Sequence, residues 1–190
     1  MSNITINMGT MNGNIIQTDC AGNCGSGKEP ENSKERCSQD KELQKYEFDI
    51  AVSYSSAEKK FVSRVVKILK KEGLRVFFAP DCEEEFMARN MISEFYGIYR
   101  YRSMFVAAFV SKSYVEGDIT MNEASAAIIR ENDEKRNCLI PIYMDDAKLP
   151  KLDPDINYIP VNGKNGSLTE IETADKIIRI VKGYVRGREK

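Results

Sequence analysis

The chain contains no histidine and no tryptophan among its 190 residues. Without histidine it lacks the commonest general base, the base of a Ser-His nucleophile pair and the usual zinc ligand, so any catalysis runs on carboxylates, hydroxyls, amines or thiols. Neither charge is in excess: 28 Lys and Arg against 29 Asp and Glu leave a formal net charge of -1, which gives no electrostatic case for nucleic acid or an anionic membrane. No apolar run approaches the roughly 20 residues of a membrane span, and the first residues lack the basic and apolar regions of a signal peptide. The cysteines, Cys20, Cys24, Cys37, Cys82 and Cys138, are odd in number and fit reduced thiols better than a disulfide framework. With no histidine beside them, the linker cysteines fall short of a four-ligand zinc site. A cytoplasmic protein with no metal, no nucleic-acid partner and no membrane partner is expected.

What is present divides at about residue 44. Residues 18–41 are rich in Asn, Gly, Ser, Lys and Glu and poor in large apolar groups, the composition of a flexible linker. Ahead of them, residues 4–17 are uncharged and alternate apolar side chains with Asn, Thr and Gln between glycines. Such a segment either stays a disordered tail or ladders between chains as a β assembly motif. Gly22-Asn23-Cys24-Gly25-Ser26-Gly27-Lys28 has the spacing of a phosphate-binding loop, but Glu29 occupies the magnesium-binding Ser/Thr position and Pro30 follows. No strand precedes it and no helix follows, so its amides have no phosphate to face.

From residue 45 to 190 the pattern is strand, helix, strand, repeated. Residues 48–54 read as the first strand, and the helix after it places Phe61, Val65, Ile68 and Leu69 on one face before Gly73 stops it. Residues 74–78 read as a second strand, followed by an acidic loop from Pro80 to Phe86 and a helix ending near Arg102. The unbroken apolar run 104–110 suits a central strand covered on both faces. A helix from Met121 to about Glu131, strands at 138–143 and 158–161 placed near the sheet edge by their prolines, and a last helix with Ile171, Ala174, Ile178 and Val181 in one stripe complete the pattern. Alternation of this kind predicts an α/β fold: a flavodoxin-like five-stranded parallel sheet with helices on both faces, preceded by a flexible N-terminal segment.

In such a sheet the loops leaving the carboxyl ends of adjacent strands share one crevice, and ligands bind there. The turn Ser53-Tyr54-Ser55-Ser56-Ala57-Glu58 and the segment Thr120-Met121-Asn122-Glu123 fall at that edge. Each has an ordinary structural reading. Ser is common at strand ends and helix caps, Glu58 suits a first helical turn, and Thr120 with Glu123 has the spacing of a capping box that would face Glu123 to solvent. Residues 83–85 read as a solvated acidic run and Arg89 as a solvated helix residue.

Taken in order, these segments resemble the TIR domain family in its bacterial branch, over roughly residues 46–184. Residues 48–54 followed by Glu58 look like that family's first box, and 74–78 with its acidic loop look like the second strand and BB loop. Ser111-Lys112-Ser113-Tyr114 followed by Ile119-Thr120-Met121-Asn122-Glu123 resembles the stretch that carries the family's glutamate. The resemblance implies a TIR domain at residues 45–190 and a catalytic Glu123, with Ser53, Tyr54, Ser55, Phe78, Phe86 and Arg89 lining a nucleotide pocket. It implies NAD+ as substrate, with no cofactor, cleaved between nicotinamide and ribose, and self-association through TIR surfaces, to which residues 4–17, outside the resemblance, add if they ladder rather than stay a disordered tail. A role in bacterial antiphage defence or cell death goes with that activity, and a noncatalytic adaptor working by homotypic association is the alternative. Ile119 and Met87 stand where related chains often carry tryptophan, so base stacking falls to Tyr and Phe. A phosphoacceptor receiver of the same fold is disfavoured, because Ser53-Tyr54-Ser55 and Ser111 stand where it needs acidic residues.

Overall fold

Five runs of apolar and β-branched residues form the frame in the computed structural model, which describes residues 45–82, 84, 90–150, 152, 156–163 and 166–187. They are β1 (Phe48–Tyr54), β2 (Val76–Phe77), β3 (Ser103–Val110), β4 (Leu139–Tyr143) and β5 (Ile159–Pro160), all parallel, in the order β2-β1-β3-β4-β5. That order is the flavodoxin-like one the alternating pattern predicts. The expectations for residues 1–44, including the 4–17 segment, the glycine-rich loop and Cys20, Cys24 and Cys37, lie outside the described residues, as do those for Phe86, Met87 and Arg89.

The connections are α1 (Lys59–Lys71), α2 (Met91–Gly97) continued by a π turn at Ile98–Arg102, α3 (Lys112–Val115), α4 (Asp118–Glu134) and α5 (Glu170–Gly187), with a small antiparallel pair β6 (Asn162–Gly163) and β7 (Gly166–Ser167). All eight residues of β3 are buried, as a strand covered on both faces requires. Its side chains alternate. Phe105, Ala107 and Phe109 join the layer of α1 and α5, whereas Val106, Ala108 and Val110 join the layer of α2 and α4. Among the described residues no helix is long and apolar enough to cross a membrane.

Helix α1 ends as its sequence indicates. Gly73 takes φ +84, and the bonds from its amide to the Lys70 carbonyl and from the Leu74 amide to the Leu69 carbonyl close a Schellman turn. Several boundaries differ from the sequence pattern. The face of α1 turned fully inward is Val62, Val65, Val66 and Leu69, with Phe61 and Ile68 at its margins, because a helix packed flat on a sheet buries a wider stripe than one row. Ile171 is exposed, and Thr173, Ala174, Ile177, Ile178 and Val181 form the buried face of α5. Strand β2 is two residues rather than five. Pro141 lies inside β4, second from the edge, at a position with no registered β5 partner, where a missing amide proton is tolerated.

Candidate active site

The cleft forms where the chain reverses its direction of travel across the sheet, between β1 and β3. Alternation along β1 turns Ser53 toward the α4 layer and Tyr54 toward the other face. The Ser55 side chain accepts from the Ala57 amide at the start of a short turn of helix, Ser56–Glu58, that leads into α1. After β3, the Ser111 hydroxyl caps α3 by accepting from the Tyr114 amide at 3.2 Å.

Glu123 does not cap its helix. Helix α4 begins at Asp118, three residues before the sequence pattern places it, with Gly117 at the N-cap. Thr120 is therefore inside the first turn, and its hydroxyl donates to the carbonyls of Tyr114 at 2.5 Å and Gly117 at 2.9 Å, locking the α3–α4 corner. A Cβ at position 117 would sit 2.7 Å from that hydroxyl, so the corner is built around glycine. The shifted start rotates the helix. Glu123, Ala124, Ala126, Ala127 and Arg130 face the sheet, and Glu123 is 8% exposed.

Around the Glu123 carboxyl stand three hydroxyls. Ser53 Oγ donates to Glu123 Oε2 at 2.5 Å and lies 2.7 Å from the Tyr114 hydroxyl. The Tyr99 hydroxyl, from the π turn, faces the same carboxyl and donates to the Val52 carbonyl at 3.0 Å. Burial pushes Glu123 up from the usual carboxylate range to about 7, while the Ser53 and Tyr99 hydroxyls pull it back down. Burial, and after it the Glu123 charge, holds the Tyr99 phenol well above its ordinary value. A carboxyl of this kind exchanges its proton near neutral pH, which is the usual mark of a group placed for chemistry rather than for solubility.

In front of Glu123 opens a cavity of about 280 Å³ lined by Val52, Tyr54, Ser56, Lys59, Ala79, Pro80, Met91, Phe95, Tyr99 and Glu123. Its described lining is mainly aromatic and apolar, with the buried Glu123 carboxyl and the exposed residues Ser56 and Lys59 as its polar members. Tyr54 is held by Phe78, their rings stacked at 5.4 Å and 22°. Of the residues singled out from sequence, Glu123 and Tyr54 line the cavity, Phe78 backs Tyr54, Ser53 is buried behind Glu123, and Ser55 serves the helix start. Ile119 is exposed and outside the lining. The sequence reading missed Tyr99, Phe95, Met91 and Lys59. Tyr114 belongs to the quoted Ser111–Tyr114 motif, so a signal for it existed, whereas nothing in residues 91–102 marks the π turn that aims Tyr99.

The sequence profile of the TIR domain family matches residues 50–178. A curated relative, the 3' cyclic ADP-D-ribose synthase AaTIR of Aquimarina amphilecti, is 28% identical over 119 residues, covering 63% of this chain and 36% of its own length. The chain thus matches about a third of that relative. Among solved structures, the TIR domain of the Toll-related receptor TRR-2 of Hydra magnipapillata superposes with a TM-score of 0.50 at 15% identity, over 75% of this chain and 99% of the other, a likeness of fold.

Proposed function

The chain belongs to the TIR domain family, and on that premise we propose that it is an NAD+ glycohydrolase whose catalytic carboxylate is Glu123. The observation that carries this reading is the buried Glu123 carboxyl, the one carboxyl among the described residues lining a largely apolar cleft at the switch point of the sheet. The activity in the name of the Aquimarina relative supports it, since making a cyclic ADP-ribose also requires loss of nicotinamide.

One carboxylate is enough for this chemistry. The bond between ribose C1′ and the pyridinium nitrogen breaks with both electrons going to nitrogen, so nicotinamide leaves neutral and needs no acid, unlike the alcohol leaving group of an O-glycoside. The deficit left on the ribose is an oxocarbenium-like cation. Ionised Glu123 opposes that charge and accepts hydrogen bonds from the ribose hydroxyls, worth about 2–4 kcal/mol in a site closed to water. Water then adds to C1′ and releases its proton to solvent, giving ADP-ribose, or a hydroxyl or ring nitrogen of the same molecule adds and closes a ring. Tyr54, half-buried in the cavity lining, supplies the stacking face that tryptophan would otherwise give, with Phe95 and Tyr99 forming the apolar wall behind. Lys59, the exposed cation of the lining, suits the pyrophosphate.

A cavity of about 280 Å³ is at the lower limit of ordinary ligand pockets, roughly 300–1,000 Å³, and accommodates the nicotinamide-ribose end rather than a whole dinucleotide. Association with a second copy, through TIR surfaces and residues 4–17, would cover the remainder and keep the enzyme silent until assembly. That behaviour suits an effector of bacterial antiphage defence or cell death. Incubating the concentrated chain with NAD+ and separating the products by chromatography tests the reading: nicotinamide with ADP-ribose or a cyclic form is expected. Intact NAD+ from folded, associated protein would leave the homotypic adaptor in its place.

A further inference from the structure

Ser53 and Tyr114 are buried and, unlike Tyr99, stand outside the lining of the cleft, so neither is placed to touch a ligand there. Both lie behind Glu123. With Glu123 ionised, Ser53 gives its one hydroxyl proton to Oε2, and its contact with Tyr114 at 2.7 Å then has only one direction open: the phenol donates to the Ser53 oxygen. The result is a chain, Tyr114 O–H to Ser53 O–H to carboxylate, with every proton aimed at the acid.

We propose that Ser53 and Tyr114 are positioning residues, a buried two-hydroxyl relay that holds Glu123 and favours its ionised form for the reaction. This rests on the NAD+-cleaving reading for its catalytic consequence but not for its effect on the carboxyl itself. The relay is polarised by its surroundings. Protonating Glu123 weakens the bond from Ser53, since a neutral carboxyl accepts less strongly than a carboxylate, and a proton on Oε2 aimed at Ser53 would reverse both bonds and turn the Tyr114 proton into the apolar cluster that holds it, with Ala108, Val110 and Ala124. Burial works against the charge, and the relay works for it. The groups facing Glu123 from the packed elements are Ser53 on β1, Tyr99 on the π turn, Tyr114 on α3 and, across the cleft, Tyr54 and Lys59. Of these, only the relay directs a second hydroxyl behind the first.

Two measurements on the 190-residue chain separate the relay from the reaction. The first is the titration of the Glu123 carboxyl carbon by nuclear magnetic resonance. Ser53→Ala is expected to move its midpoint up by about one to two pH units, Tyr114→Phe by less in the same direction, and Ser53→Thr hardly at all. The second is NAD+ turnover: Ser53→Ala should lower kcat about tenfold near pH 7 with KM nearly unchanged, and the deficit should shrink as pH rises toward 8.5. An unmoved midpoint in folded Ser53→Ala and Tyr114→Phe overturns the relay. A rise in KM at constant kcat also overturns it, because it would make Ser53 a substrate contact. If wild type leaves NAD+ intact while the midpoint still moves as stated, the relay stands and the reading of the reaction falls.

Discussion

Ionising Glu123 costs stability where protonating it does not, and that asymmetry separates a site carboxyl from a surface one. Its proton is held up to about 7 in the fold against about 4.5 in the unfolded chain. Between those values the folded state binds more protons, so the contribution of this group to stability falls as pH rises from about 4.5 and is fully lost above about 7. The loss is on the order of 3 kcal/mol as an upper bound. Glu123→Gln removes the ionisable group and keeps the shape. It is expected to melt higher than wild type at pH 8 and within about a degree of it at pH 4.5, read by thermal denaturation at both values. A capping role would give the opposite sign, a loss of about 0.5–1 kcal/mol. Residue identity was legible here and residue environment was not: Thr120 and Glu123 have cap spacing, and only the position of Gly117 moves the helix start and turns the acid inward.

Helix α4 explains why its face was misread. Its buried stripe carries Glu123 at one end, Arg130 at the other and alanines between, so the polar ends cancel the apolar periodicity by which an inward face is recognised. The two ends serve opposite edges of the sheet. Glu123 meets β1 at its carboxyl end, and seven residues on, about 10 Å along the helix, Arg130 donates to the carbonyls of Ser103 and Met104 at 2.5 Å each, at the start of β3. Met104 has a second donor in Arg136 at 3.1 Å. Arg130→Met therefore leaves the Ser103 carbonyl as the main orphan, and a loss of about 2–3 kcal/mol is expected in chemical denaturation. Turnover per folded molecule should hold, since nothing at the cleft is removed. The runs that became β1 and β3 were plain in the sequence because Ile50, Ala51 and Val52 are consecutive apolar residues and 104–110 is an unbroken apolar run, while β2 shrank to two residues because only Val76 and Phe77 find partners on β1.

At the scale of the molecule, the strand order and the position of the cleft followed from the alternation of strands and helices, because parallel neighbours need crossovers and the switch point fixes the crevice. The cleft's depth did not follow, since it depends on Tyr54 stacking against Phe78 and on Tyr99 reaching up from a π turn. The uncharged 4–17 segment gives the assembly proposal its own test. Specific activity of the full chain is expected to rise with protein concentration, and that of residues 45–190 alone to be lower and nearly flat, with the same melting temperature. Equal activity at every concentration would remove the segment from the account.

Nicotinamide release by concentrated wild type and by Glu123→Gln, followed from pH 5 to 9 with folding monitored in the same samples, tests the central claim most directly. The account expects wild-type kcat to climb through about pH 7 as the carboxyl ionises, falling about 100-fold by pH 5, and Glu123→Gln to release none although folded. Release by Glu123→Gln at the wild-type rate, or none from folded wild type at any pH, would contradict it.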